Sequence, residues 1–248
     1  MKLTSIKAQL IIFLTAFALF LSFKDKDLVF LYTTFIAVIS SVAFDSLISY
    51  LKTRKFTFSE SAVISGLIIG FVLSNDEPLW IFLIASLFAI GSKYLLRFGN
   101  RHVFNPAAFG IFITGVLFGA ATQWRGTYVW YILLPAGLYF GYRIRKLAVL
   151  LGYALAALGL FGIQAIMQKG SFLNIFGYLS YFYIFIMVIE PKTTPAKSAG
   201  KLIFGMTVAS LIFIFTEMGV KFDAEICVLL IANIFVPLLN KMPERRLS

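Results

Sequence analysis

Ala8-Gln-Leu-Ile-Ile-Phe-Leu-Thr-Ala-Phe-Ala-Leu-Phe-Leu-Ser-Phe23 runs through a four-residue polar turn, Lys24-Asp-Lys-Asp27, straight into Leu28-Val-Phe-Leu-Tyr-Thr-Thr-Phe-Ile-Ala-Val-Ile-Ser-Ser-Val-Ala-Phe-Asp-Ser-Leu-Ile-Ser-Tyr50. Each apolar run approaches the roughly 20 residues that a helix needs to cross a bilayer. Two such runs joined by so short a turn read as a helical hairpin through the membrane. Lys2 and Lys7 ahead of the first run imitate a signal peptide. No small-residue cleavage site follows, however, and the turn opens directly onto the second run, so the first helix is read as retained.

Outward from this hairpin the pattern repeats. Further apolar runs cover residues 61–73, 79–96, 107–122, 128–142, 147–167, 172–189, 202–215 and 226–239, ten in all with 8–23 and 28–50. The third, sixth, ninth and tenth are short for full spans, as tilted, broken or re-entrant pieces are. The whole chain is 60% hydrophobic and 13% charged, with 28 Phe in 248 residues. A soluble domain has about 45–50% apolar and about 25% charged residues. The expected fold is therefore all-α and integral to the membrane, a single membrane domain with no soluble appendage.

The net charge of +11 is a topology signal. With the amino terminus in the cytoplasm and sides alternating over ten spans, the outer segments hold only Lys24, Lys26, Arg125, Lys169 and Lys221. The other 17 of the 22 Lys and Arg residues fall inside. That bias follows the positive-inside rule. It predicts a multi-pass protein of the cell (inner) membrane with both ends cytoplasmic, whose basic residues face lipid headgroups and cytoplasm rather than nucleic acid. The lone Cys227 excludes an internal disulfide, and with His102 the only histidine no Cys/His metal site of ordinary ligand number is available. There is no phosphate-binding Gly-rich lysine loop and no dinucleotide fingerprint.

Ten spans make five per half. Halves of one fold then lie upside down to each other, the inverted-repeat arrangement of many transporters. Repeat 1 is read as about residues 1–125 and repeat 2 as about 126–248. Leu73-Ser-Asn-Asp-Glu-Pro78 ends an apolar run in the first half, and Val188-Ile-Glu-Pro-Lys-Thr-Thr-Pro195 does so in the second. About 27 residues beyond each comes another interruption, Gly99-Asn-Arg-His-Val-Phe-Asn-Pro106 and Gly219-Val-Lys-Phe-Asp-Ala-Glu225. Asn105-Pro106 and Asp223 fall where a helix cap is expected.

Charges within or beside spans are costly and so mark candidate function. Asp45 has two readings: a station for an ion or proton, or an interfacial carboxylate paired with a lysine. Glu60 reads as an acid at a helix start, favoured by the dipole. Lys93 reads as snorkelling to the interface, or as holding a phosphate or flavin edge. Glu190 reads as interfacial or as lining a site.

Several stretches carry a resemblance. Ser61-Ala-Val-Ile-Ser-Gly-Leu-Ile-Ile-Gly-Phe-Val-Leu73, Lys93, Gly99 to Ala107, Glu190-Pro-Lys-Thr-Thr-Pro195 and Val236-Pro-Leu-Leu-Asn-Lys241 resemble the family of membrane proteins that contains the B subunit of the sodium-translocating NADH:quinone reductase and the D subunit of the Rnf electron transport complex. The resemblance implies a urea-transporter-like fold of ten helices in two inverted five-helix repeats. It further implies flavin (FMN or riboflavin), electron transfer coupled to sodium or proton movement, and partner subunits of an electron-transport complex, with a homo-oligomer as a further partner state. Carried onto this chain, it implies cofactor contacts at Lys93, Asn105, Pro106, Thr122 and Thr194, and an ion pathway through Asp45, Glu60 and Glu190. The family's Ser-Gly-Ala-Thr type motif, whose threonine carries FMN, is replaced by Phe118-Gly-Ala-Ala-Thr122 in a very short outer loop. The flavin expected here is therefore held without a covalent bond. The rival expectation is a small-solute or vitamin channel or transporter of the same fold, without redox activity, since fold alone does not fix function.

Overall fold

The computed structural model describes residues 5–99, 101–168, 171 and 175–242. Lys2, Lys169, Arg245 and Arg246 of the charge pattern, Asn100, and the first residues of the run 172–189 lie outside the described residues. The chain divides into two compact units, Met1–Gly126 and Thr127–Ser248.

The first unit contains α1 (Ile6–Asp25), α2 (Leu28–Thr53), α3 (Glu60–Val72), α4 (Leu79–Leu95), a two-stranded hairpin of β1 (Arg97–Phe98) and β2 (Arg101–His102), and α5 (Pro106–Phe118). Local chemistry sets the boundaries. Ser5 accepts from Ala8 N to cap α1, and Asp27 accepts from Phe30 N to cap α2. Between them Lys26 takes the left-handed conformation (φ 54°) that turns the chain in one residue. Helix α3 lies at the centre of the unit, with Ala62, Val63 and every residue from Ser65 to Val72 buried. A helix apolar on every side belongs in such a place.

Helices α3 and α5, at 13 residues each, are shorter than the roughly 20 residues of a full-length span. Helix α5 stops at Phe118, where Gly119 is left-handed (φ 70°), and not at Thr122 as the apolar run predicts. The chain then returns as an extended segment along the end of α3. Arg125 N donates to Phe71 O (2.7 Å), Gln123 N to Val72 O (2.8 Å), and Ser74 N to Ala121 O (3.0 Å). The last carbonyls of a helix have no partner within it, and in lipid they must find one in the protein. The returning segment supplies it.

The second unit contains α6 (Trp130–Arg143), α7 (Leu147–Met167), α8 (Ile175–Tyr178), a π-helical turn (Tyr183–Met187), α9 (Ser198–Glu217) and α10 (Ala224–Leu239). Helix α9 has 20 residues and is a full-length span, longer than the run 202–215 predicts. Its polar start, Ser198-Ala-Gly-Lys, is helical, and there Gly200 lies against Pro195 and Leu239 of α10. A Cβ on Gly205 would stand 2.0 Å from Val149 O, so these two backbones touch. The run 172–189 is broken where continuous helix is expected. Helix α8 is a single turn, and Tyr183–Met187 is a buried, wider turn.

Helices α1, α2, α7 and α9 are each long and apolar enough to cross a membrane. Bulky apolar side chains such as Phe35, Leu87, Leu155, Ile163 and Met206 stand exposed on helix faces. Exposed apolar surface of this extent is a liability in water and is matched by lipid. The protein is a multi-pass membrane protein.

Candidate functional site

The C-terminal parts of α2 and α4 meet with α3's first turn in a polar cluster inside apolar packing. Asp45, on the inward face of α2, is 2% exposed. Lys93 Nζ donates to its Oδ1 at 2.7 Å, and Tyr94 Oη donates to the same oxygen at 3.1 Å. Lys93 Nζ also donates to Ser59 Oγ at 3.2 Å, and Ser59 Oγ lies 3.0 Å from Ser61 Oγ. Lys52 Nζ stands 4.7 Å from the Tyr94 ring centroid. Lys93 thus turns inward to a carboxylate instead of snorkelling to the interface. Asp45 has the lysine partner that one of its two readings requires, but the partner is Lys93 and not one of the nearby Lys52–Lys55 group.

The other sequence-predicted residues are placed as follows. Glu60 is the first residue of α3, as its dipole reading requires. Its carboxylate accepts from Ser5 Oγ at 3.3 and 3.4 Å, tying the start of α1 to that of α3. Asn105 caps α5 through Ala108 N (3.1 Å), and Pro106 occupies the first turn. Thr122 lies in the returning segment, bridged to Leu73. Lys93, Asn105 and Pro106 are therefore at one end of α5 and Thr122 is beyond the other, about 20 Å away for a 13-residue helix. Within the first unit the predicted cofactor residues form two separate groups.

In the second unit Glu190 and Thr194 do come together. Thr194 Oγ1 donates to Glu190 O (2.7 Å), and Thr193 Oγ1 donates to Glu190 Oε2 (3.2 Å). Lys146, 5% exposed, donates to the carbonyls of Thr194 (3.3 Å) and Pro195 (2.7 Å). Asn233 Nδ2 donates to Thr193 O at 3.0 Å, and Ala196 N to Asn240 Oδ1 at 2.8 Å. A loop rich in proline has carbonyls without ladder partners, and the buried donors Lys146 and Asn233 satisfy those of Thr193, Thr194 and Pro195. Sequence reasoning counted Lys146 only as a topology charge, and Asn233 only as the end of Val228-Leu-Leu-Ile-Ala-Asn233, a stretch that carries the family resemblance.

The opposite pattern of charge surrounds Thr122. Asn75 Nδ2 donates to Asp27 Oδ2 (2.8 Å), and Gln123 Nε2 to Asn75 Oδ1 (2.7 Å). Arg125 is held by Asp27 and by Asp25. Glu77 Oε1 accepts from Ala121 N at 2.7 Å. Arg125, the cation of this cluster, is thus paired with two aspartates.

Compared with known proteins, the family model of the NQR2, RnfD, RnfE family matches residues 1–131 and again 126–247. The chain belongs to this family. Within it, 62 residues are 36% identical to a protein of Tolumonas auensis named as the D subunit of an ion-translocating oxidoreductase complex, a match covering 25% of this chain and 18% of that protein. A protein of the same name from Actinobacillus succinogenes is 31% identical over 91 residues, 36% of this chain and 26% of its own length. The aligned stretches thus span about a quarter or less of these relatives' lengths.

Proposed function

We propose that the chain is the membrane subunit of a flavin-dependent, ion-translocating electron-transport complex of the Rnf or sodium-pumping quinone reductase type, working with other subunits of that complex. The observation that carries this reading is the family match, which extends over both halves of the chain. The named relatives belong to an ion-translocating oxidoreductase complex. In this reading ten spans form two inverted five-helix repeats, with both ends cytoplasmic.

The tying of connectors supports the repeat. In the first unit the α1–α2 turn (Asp27), the segment after α3 (Asn75) and the segment after α5 (Gln123, Arg125) are bonded together. In the second, the α6–α7 turn (Lys146) bonds to the segment before α9 (Thr194, Pro195), and that segment bonds to Asn240 after α10. The same three connectors in chain order are joined at one end of each unit.

The flavin of this proposal is FMN or riboflavin held without a covalent bond, because Phe118-Gly-Ala-Ala-Thr122 replaces the family's threonine motif. When bound, a flavin supplies the electron-carrying chemistry. This chain's own residues supply the path for the ion, for which Asp45, Glu60 and Glu190 are the candidates. Protein purified from native membranes is expected to carry a flavin that denaturant releases, and to co-purify with flavoprotein and iron–sulfur subunits. A colourless preparation that takes up neither FMN nor riboflavin, from membranes without donor-driven ion movement, defeats the reading. The replaced threonine motif favours one rival, a solute channel or transporter of the same fold. Solute uptake by liposomes containing this chain alone would establish it.

A further inference from the structure

The last turn of α2, the segment joining it to α3 and the hairpin after α4 carry Lys52, Arg54, Lys55, Arg97 and Arg101. Neither residues 46–59 nor residues 79–105 include an Asp or Glu. The two flanking carboxylates are already engaged, Asp45 by Lys93 and Tyr94 and Glu60 by Ser5. In the second unit several cations bond within the protein. Lys146 holds the carbonyls of Thr194 and Pro195, Lys197 donates to Met242 O (2.6 Å), and Arg143 donates to Tyr139 Oη (2.9 Å). The first unit differs. Among the described residues the cationic groups of Lys52 and Arg54 engage only ring faces, Tyr94 at 4.7 Å and Tyr50 at 5.8 Å, and Lys55 and Arg101 pair with no carboxylate. Charge of one sign concentrated in this way attracts an anion from outside the chain.

Apolar side chains are interleaved with these cations, and the packing holds them outward. Thr57 Oγ1 lies 2.7 Å from Ser49 Oγ, and Ser46 Oγ donates to Thr57 O at 3.3 Å, which straps the segment to α2. The Thr57 hydroxyl thus faces α2, while Phe56 and Phe58 on either side of it stand out from the protein. In the hairpin Phe98 is directly opposite Arg101, so ring and guanidinium share one face. Phe56, Phe58, Leu95 and Phe98 are each at least 67% exposed. On α4 the positions Leu83, Leu87, Gly91 and Leu95 recur every fourth residue and line one side of the helix. A Cβ on Gly91 would meet nothing within 4 Å, so this exposed row has a notch one turn from Leu95. Cations at the end of an exposed apolar row, with aromatic rings at the boundary, match the two parts of a phospholipid. An acidic soluble protein would match the cations alone.

The cations flanking Tyr94 define where the headgroup sits. Lys52 reaches the ring from α2, and Arg97, just past the end of α4, acts electrostatically on the same phenol. We propose that this corner of the first unit is a binding site for an anionic phospholipid, with Lys52 and Arg97 taking the phosphate and Leu87, Gly91 and Leu95 an acyl chain. Charge-assisted bonds from ammonium and guanidinium groups are the ordinary means of holding a phosphate. Arg54, Lys55 and Arg101 raise the local potential, which selects anionic over zwitterionic headgroups. Lys93 stays with Asp45 and takes no part. The charge bias along the chain concerns the side on which a loop lies, whereas this site concerns one lipid retained by the folded protein.

The test uses the full chain, stripped of lipid in detergent and given phosphatidylglycerol or phosphatidylcholine, with native mass spectrometry and Tm as readouts. Phosphatidylglycerol is expected to be retained about tenfold more than phosphatidylcholine and to raise Tm. Lys52→Gln combined with Arg97→Gln should cut that retention about tenfold and abolish the rise, with Tm in lipid-free detergent unchanged. Gly91→Leu fills open space without altering charge, and should weaken retention of phosphatidylglycerol severalfold. Arg145→Gln combined with Lys201→Gln removes the same charge from the second unit, and should leave retention as in the wild type. Equal retention of the two lipids, wild-type retention in the first double variant or in Gly91→Leu, or an equal loss in the second double variant overturns the site. A Tm rise as large with glycerol 3-phosphate would assign the cations to a free phosphate. Loss of an acidic partner protein from native-membrane preparations of the first double variant, with lipid retention intact, would assign them to a protein contact. Either result overturns the lipid site.

Discussion

Lys93 Nζ and Asp45 Oδ1 are 2.7 Å apart across the α2–α4 interface, with the aspartate side chain 3% exposed and the lysine 15%. A pair this deep stabilises chiefly by making each partner's burial tolerable. Removing one partner costs about 3–5 kcal/mol, because the other is left as an uncompensated buried charge. Lys93→Met is therefore expected to lower Tm sharply, and Lys93→Met combined with Asp45→Asn to recover much of the loss. Thermal denaturation of the four proteins in one detergent checks this. Additive losses would mean that the pair is not coupled.

The caps at Asn105 and Asp223 hold the starts of α5 and α10 through Ala108 N and Ile226 N. Asn105→Ala and Asp223→Ala should each cost about 1 kcal/mol, and Asn105→Asp very little. Hydrogen exchange should rise at the first amides of the affected helix and nowhere else.

Lys146→Met deletes the donor that bonds the carbonyls of Thr194 and Pro195. Buried carbonyls left unpaired cost about 1–3 kcal/mol. The segment from Glu190 to Lys197 should become open to hydrogen exchange and to proteolysis, while α7 itself, bonded within its own helix, stays protected. Unchanged protection of the segment would refute this role.

Thr122→Val should leave flavin content unaltered, because Phe118-Gly-Ala-Ala-Thr122 replaces the family's threonine motif. Intact-mass measurement of the wild-type chain should find no FMN adduct. An adduct lost in Thr122→Val would reverse the argument.

Orientation is testable with a membrane-impermeant thiol reagent in a Cys227→Ala background. Lys24→Cys and Lys221→Cys should react from outside intact cells, and Arg54→Cys and Lys197→Cys only after the membrane is opened. Labelling of Arg54→Cys from outside would invalidate the inside-positive assignment.

Part of this protein was legible along the chain. The helix starts at Asn105 and Asp223 could be read because capping is a contact between a side chain and an amide three residues on. Glu60's place in the first turn of α3 followed from the same local chemistry. The lengths of α5 and α9 were misjudged because hydropathy marks apolar residues, not where hydrogen bonding ends. Gly119 stops α5 inside an apolar run, and α9 begins four residues earlier, in a polar stretch whose Gly200 lies against Leu239 of α10. In the site, Asp45 and Lys93 stood out as charges among apolar residues, but their pairing did not, because 48 residues separate them.

Membrane residence was determined by the sequence itself, since it depends on composition summed over segments and on the preference of apolar helices for lipid. The tertiary structure alone decided which polar groups face one another. It turned Lys93 from the interface to Asp45, buried Lys146 under the carbonyls of Thr194 and Pro195, and left the hydroxyls of Thr34 and Ser41 without partners among the described residues. The reason is that a side chain's partner across a helix interface is fixed by the register and rotation of two packed helices, which no single stretch of chain encodes.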